Sequence, residues 1–199
     1  MMMGIGNLTE LTDVDSSGIN MMLLGICQEL SIQSVLTTEV INWARSSVAE
    51  CNVARRLSHY AVQHGIPPKH LDDQLVVLRD CKLDSFGRER LDLLATQIKD
   101  NNYRIYAENS EVHIVSAGLH LSHSDPFKLF ELLMSGEGQD SAPGNLDASH
   151  AFYLGYEMCK AITAVTLGKQ YTQDESLDWG HLTVEEVSHR LKRKSKGDG

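Results

Sequence analysis

The 199-residue chain holds no apolar run near the roughly 20 residues that a bilayer-spanning helix needs. No membrane role is expected from it. No basic stretch precedes Met1-Met2-Met3, so no signal peptide is visible. Cysteine is scarce. Cys27, Cys51, Cys81 and Cys159 stand far apart with no Cys-x-x-Cys, which argues against a disulfide framework or a zinc finger. Cys27 and Cys51 fall in predicted helices and read as small buried apolar groups. This usage leads us to expect a cytoplasmic protein. Positive charge is also short: 18 Lys and Arg against 27 Asp and Glu give a net charge of −9. Nucleic-acid binding, which depends on neutralising phosphates, is not expected. The one basic block, Arg190 to Lys196, reads as a solvated tail. The histidines are scattered. His120-Leu121-Ser122-His123-Ser124-Asp125 is the nearest approach to a ligand cluster, but nothing joins it at zinc-site spacing. It reads as a polar loop with Asp125 as a helix N-cap, and no metal is expected.

The chain opens on a β-loop-α-β pattern. Met1 to Thr12 reads as an apolar strand that stops at a small polar loop. Asp13, Asp15, Ser16 and Ser17 then supply N-cap residues. Ile19, Met22, Leu23, Ile26 and Leu30 recur at helical spacing and predict one buried face. Ser34 to Thr38 is a second short strand, parallel to the first if the crossover is right-handed. In such units ligands sit where strands end and helices begin. Gly4 and Gly6 permit close approach at that point, and Asn7 offers both a donor and an acceptor. A plain Gly-Asn turn is the alternative. Because the first strand begins at residue 1, the chain is expected to be the C-terminal part of something larger.

Gly4-Ile5-Gly6-Asn7-Leu8-Thr9, followed by Gly18-Ile19-Asn20-Met21-Met22-Leu23-Leu24, resembles the seventh strand and helix of pterin-binding barrels. These are the dihydropteroate synthases and the methyltetrahydrofolate-binding corrinoid methyltransferases. Thr37 to Arg45 and Leu146 to Gly155 also resemble the dihydropteroate synthase-like group tied to methanopterin-type C1 cofactors. The resemblance implies a terminal portion of a (β/α)8 barrel, a reduced pterin as substrate or ligand, and Asn7 as the ring contact, with Thr9, Asn20 and Thr38 beside it. It implies a transferase of pterin biosynthesis or C1 metabolism. The departures are specific. The family's Ser-Arg-Lys-Ser strand end is here Gly6-Asn7-Leu8-Thr9. Its last-strand Arg-x-His is replaced by Leu36-Thr37-Thr38-Glu39. The cations that would hold a pyrophosphate leaving group are absent from this segment, whereas a pterin needs planar hydrogen bonding rather than positive charge.

Residues 42–64 predict a long helix with Val48, Leu57 and Ala61 on its buried face, Gly65 as C-cap and Pro67-Pro68 forbidding continuation. We place a domain boundary there, giving a barrel portion over residues 1–66 and a small α/β domain over 69–199. A full barrel needs about 250 residues, so the remaining strands are expected upstream or on a partner subunit. A homodimer is a further possibility, and the chain alone is expected to be inactive. In the second part, Leu75 to Leu78 reads as a short buried strand. Asp84-Ser85 reads as the cap of a helix carrying Leu91, Leu94, Ala95 and Ile98. Alternation on either side of Asn109-Ser110 predicts an antiparallel hairpin over residues 103–116. Asp125-Pro126 starts another helix, and Gly136 to Gly144 reads as a flexible loop. Asp147 caps the longest helix, which ends at Gly168. His150 and Tyr153 lie one turn apart at its N-terminus, where an anion or a proton transfer could be served, or where they simply cap and pack. Thr183-x-x-Glu186 is a capping box for a last helix.

Three classes of function fit these features: a pterin enzyme, a module that binds a pterin or C1 carrier for a partner, and a structural or interaction domain.

Overall fold

A computed structural model describes residues 1–136 and 146–186. The loop expected up to Gly144, the helix expected after Glu186 and the basic tail fall outside those residues. The chain is mixed α/β and divides into two units. One is Met1–Val77 with Gly180–Leu182; the other is Leu78–Trp179 with the residues from Thr183 on. Residues 69–77 therefore belong with the first unit.

The first unit contains β1 (Met2–Gly4), α1 (Ile5–Leu11), α2 (Ser16–Glu29), β2 (Ser34–Leu36) and α3 (Ser47–His64). β1 and β2 pair in parallel, with Met3 opposite Val35, as the crossover argument required. Among the described residues no barrel closes, and this sheet has two strands. The first strand is shorter than the sequence pattern suggested. It ends at Gly4, and Ile5 to Leu11 coil into α1 instead of a loop. Gly6 explains the tight junction: a Cβ there would lie 2.9 Å from both the Thr38 backbone nitrogen and its Oγ1.

α2 turns a different face inward from the one its apolar spacing predicts. Ser16, Asn20, Leu24 and Cys27 are buried, while Met22, Ile26 and Leu30 are exposed. Asp15 is the N-cap but makes no side-chain cap bond. The Ser16 hydroxyl and the Asn20 amide nitrogen find partners on α3, so polarity did not force that face outward. The helix expected over residues 42–64 is split into a 3-10 turn at Asn42–Ala44 and α3. On α3, Leu57 is buried and Val48 exposed. Gly65 closes it at φ 66°, the left-handed region where glycine carries no Cβ penalty. Ile5, Leu24, Cys51 and Ala54 form the core.

The second unit contains α4 (Arg88–Gln97), β3 (Arg104–Glu108), β4 (Glu111–Ser116), β5 (Leu119–His123), α5 (Pro126–Ser135) and α6 (Ala148–Leu167). The hairpin forms where the alternation placed it, with Asn109 and Ser110 at φ 51° and 64°. That double positive φ is a type I′ turn, whose twist matches the strands. β5 corrects the polar-loop reading of His120 to His123: Leu119 is buried, and the strand pairs antiparallel with β4. Leu75 to Leu78 is not a strand; Leu75 packs on the first core, and Val76 and Leu78 are exposed. Gly87, not Asp84 or Ser85, precedes α4. Asp125 and Asp147 cap α5 and α6 with their carboxylates, and Gly168 ends α6 at φ 75°. One sheet face packs Ile105, Val112 and Ile114 on Leu129, Leu154, Met158 and Ala161. The other lays Val115 and Tyr106 against Leu91 and Ala95. Residues 183–186 are not helical; Thr183 Oγ1 accepts from Trp179 N–H and donates to Asp178.

Candidate functional site

β2 ends at Leu36, and the next residues, Thr37 and Thr38, run into a polar cluster built by α1, α2 and α3. At its centre is Glu50, on the first turn of α3 and only 3% exposed. Ser16 Oγ lies 2.9 and 2.7 Å from its two carboxylate oxygens. Asn20 Nδ2 donates to Glu50 Oε2 at 2.6 Å, and Ser46 Oγ donates to Oε1 at 2.7 Å. Asn20 Nδ2 also reaches Ser47 Oγ at 3.1 Å, and Ser47 Oγ is 2.6 Å from Thr37 Oγ1. An ionised carboxylate only accepts. Asn20 must therefore present its amide nitrogen to Glu50, which leaves Asn20 Oδ1 buried and without a partner.

A histidine completes the ring. The Gln74 carbonyl accepts from His181 N–H at 3.0 Å and lies 2.9 Å from His181 Nδ1, so Nδ1 carries the proton. His181 Nε2 is buried, lacks a hydrogen bond, and lies 3.9 Å from Glu50 Oε1. The cluster thus presents a carboxylate, an unpartnered amide oxygen and an imidazole nitrogen beside the C-terminal end of a parallel strand pair. The neighbouring thiol of Cys51 is pushed up, chiefly by burial, and stays protonated.

The residues expected from sequence fall as follows. Asn20 is inside this cluster. Thr38 Oγ1 donates to Glu10 beside it. Thr9 is buried, donating to the Gly6 carbonyl at 3.1 Å and accepting Trp43 Nε1–H on its own carbonyl at 3.0 Å. Asn7 is exposed, on α1 rather than at a strand end. His150 and Tyr153 do come together in the second unit, rings 6.2 Å apart, with the His150 ring 5.7 Å from Tyr103. Asp147 accepts the His150 backbone N–H at 2.7 Å, and the Tyr153 hydroxyl donates to Asp174 at 3.0 Å. Glu50, Ser16 and Ser47 were missed. For Glu50 the signal was present: it shares a helical stripe with Ala54 and Leu57, a carboxylate on an apolar face. Among the described residues no three metal-binding side chains converge.

No protein-family profile matches the chain, and no solved structure matches it. An uncharacterised protein of Methanocaldococcus jannaschii is 25% identical to it over 186 residues. The match covers 87% of this chain and 35% of the relative's length.

Proposed function

We propose that the first unit is a terminal portion of a pterin-binding (β/α)8 barrel and that a reduced pterin docks at the end of β1 and β2. The observation that carries this reading is the buried Glu50 cluster with its unpartnered Asn20 Oδ1. A pterin edge presents a ring N–H beside an exocyclic amine. Those donors suit an amide oxygen next to a carboxylate. Asn7 and Thr9 on α1, and Thr38 just past β2, are the further residues assigned to the pterin in this proposal. Further strands of the barrel, from additional sequence or a partner subunit, belong to this proposal, and so do a cytoplasmic setting and a transferase role in pterin or C1 metabolism. The missing cations favour methyl or C1 carriage over displacement of pyrophosphate.

The test is a fluorescence titration of the intact gene product with 7,8-dihydropterin. Binding is expected. Asn20→Ala should weaken it by roughly 1–3 kcal/mol, the cost of one unpaired buried polar group. No binding, or equal affinity in a folded Asn20→Ala variant, removes the reading. In that case the polar cluster is a structural tie between α2 and α3.

A further inference from the structure

The second unit holds a row of polar groups that pterin binding does not use. It lies on the sheet face covered by α4. Asp92 Oδ1 of α4 is 2.5 Å from His120 Nδ1 of β5. His120 Nε2 is 3.0 Å from His113 Nδ1 of β4. The row runs inward from solvent: the side chains of Asp92 and His120 are 57% and 6% exposed, and His113 is 2% exposed. At the inner end His113 Nε2 has no hydrogen-bond partner. Glu108 Oε1, on the same face of the hairpin, is also buried without one. The other Glu108 oxygen is occupied by Ser85 Oγ at 2.9 Å, Phe86 N–H at 2.8 Å and Gly87 N–H at 3.2 Å.

Proton counting explains the two bare atoms. Asp92 only accepts, so His120 carries a proton on Nδ1. With His120 neutral, its Nε2 accepts from His113 Nδ1–H. His113 Nε2 is then a bare lone pair on the face that also buries a bare Glu108 oxygen, an unfavourable arrangement.

We propose that Asp92, His120, His113 and Glu108 form a single-proton switch. A proton from solvent that bonds to His113 Nε2 releases the Nδ1 proton to His120 Nε2. One N–H bond forms on His113, one breaks on His113, and one forms on His120. His120 becomes the imidazolium held by Asp92. His113 stays neutral, with an Nε2–H that Glu108 Oε1 accepts. Burial, and next the neighbouring His120, set His113 below its ordinary value and keep charge off its ring. The other titratable or charged groups are Arg104 and Tyr106 of β3 and Glu111 of β4 on this face, and Arg88, Glu89 and Arg90 of α4, which packs on it. Burial keeps the Tyr106 phenol protonated, and the two glutamates favour proton uptake.

Imidazole 15N NMR of the full chain, from about pH 8 to about pH 5, tests the switch. His113 should pass from the Nδ1–H to the Nε2–H tautomer at the same midpoint at which His120 becomes an imidazolium. Asp92→Asn changes a half-exposed helix residue, so the fold should hold, as circular dichroism would check. It should uncouple the two rings: without the carboxylate nothing fixes the His120 proton on Nδ1, so the His113 tautomer should no longer change with the charge on His120. A His113 ring that charges by itself, a His113 tautomer that is the same at both ends, or rings that stay coupled in folded Asp92→Asn overturns the proposal.

Discussion

Glu50 shows how a single residue can organise a unit. Its carboxylate collects hydrogen bonds from α2 and from the residue preceding α3, and so ties the two helices together. Glu50→Gln keeps the volume but points an amide N–H2 at groups that are already donors. We expect a loss of about 1–3 kcal/mol in denaturant unfolding of the first unit. A loss below a few tenths would mean that the hydroxyls reorient freely. Gly6 is the second decisive residue. Alanine there would press on the Thr38 backbone, which cannot swing away as a flexible side chain does. Gly6→Ala should destabilise by roughly 1–3 kcal/mol, the usual range for overpacking. It should also weaken any ligand held at the β2 end. A wild-type melting curve for this variant would show that α1 shifts freely.

At the level of elements, local chemistry and long-range chemistry were unequally legible. The hairpin, α5 and α6 follow from signals within a few residues: period-two alternation, Asp125 before Pro126, and Asp147 and Gly168 at opposite ends of an apolar stripe. α2 was misread because its inward face is polar, and the partner that satisfies it, Glu50, lies 30 residues on from Asn20. β5 was missed because His120 reads as a loop residue until α4 brings Asp92 to it. The candidate site was half legible for the same reason: Asn20 stood in a resembling motif, but nothing local pointed to Ser16 or Ser47. The hairpin supplies a test of the local part. Ser110 sits at φ 64°, where a side chain costs roughly 1–2 kcal/mol and glycine costs nothing sterically. Ser110→Gly should raise the melting temperature of the second unit, and an unchanged or lower value would mean that the turn is not under that strain.

At the scale of the whole molecule, three acid-sensitive groups among the described residues gather in one unit. His113 ordinarily would titrate at 6.5, but burial first and His120 second push it down. The unfolded chain therefore takes up that proton before the folded one. The stability His113 confers is complete above about 6.5 and is lost as pH falls toward its folded value. Burial pushes Glu108 up, yet the N–H groups of Gly87 and Phe86 and the Ser85 hydroxyl outweigh it and leave the carboxyl below 4.5. Its contribution is present above 4.5 and drains away as pH falls further. The Arg104 guanidinium, 2.8 Å away, holds Asp100 at about 2, a lesser influence because the pair is open to solvent. All three lie in the second unit. That unit contains Trp179, and the first contains Trp43, so tryptophan emission can follow the two separately. In Trp43→Phe protein, the Trp179 signal should report a thermal midpoint that falls steadily as pH drops below about 6.5. In Trp179→Phe protein, the Trp43 signal should move less over the same interval. Equal shifts in the two variants would mean that the units unfold as one cooperative body, and that the His113 row acts on the stability of the entire chain.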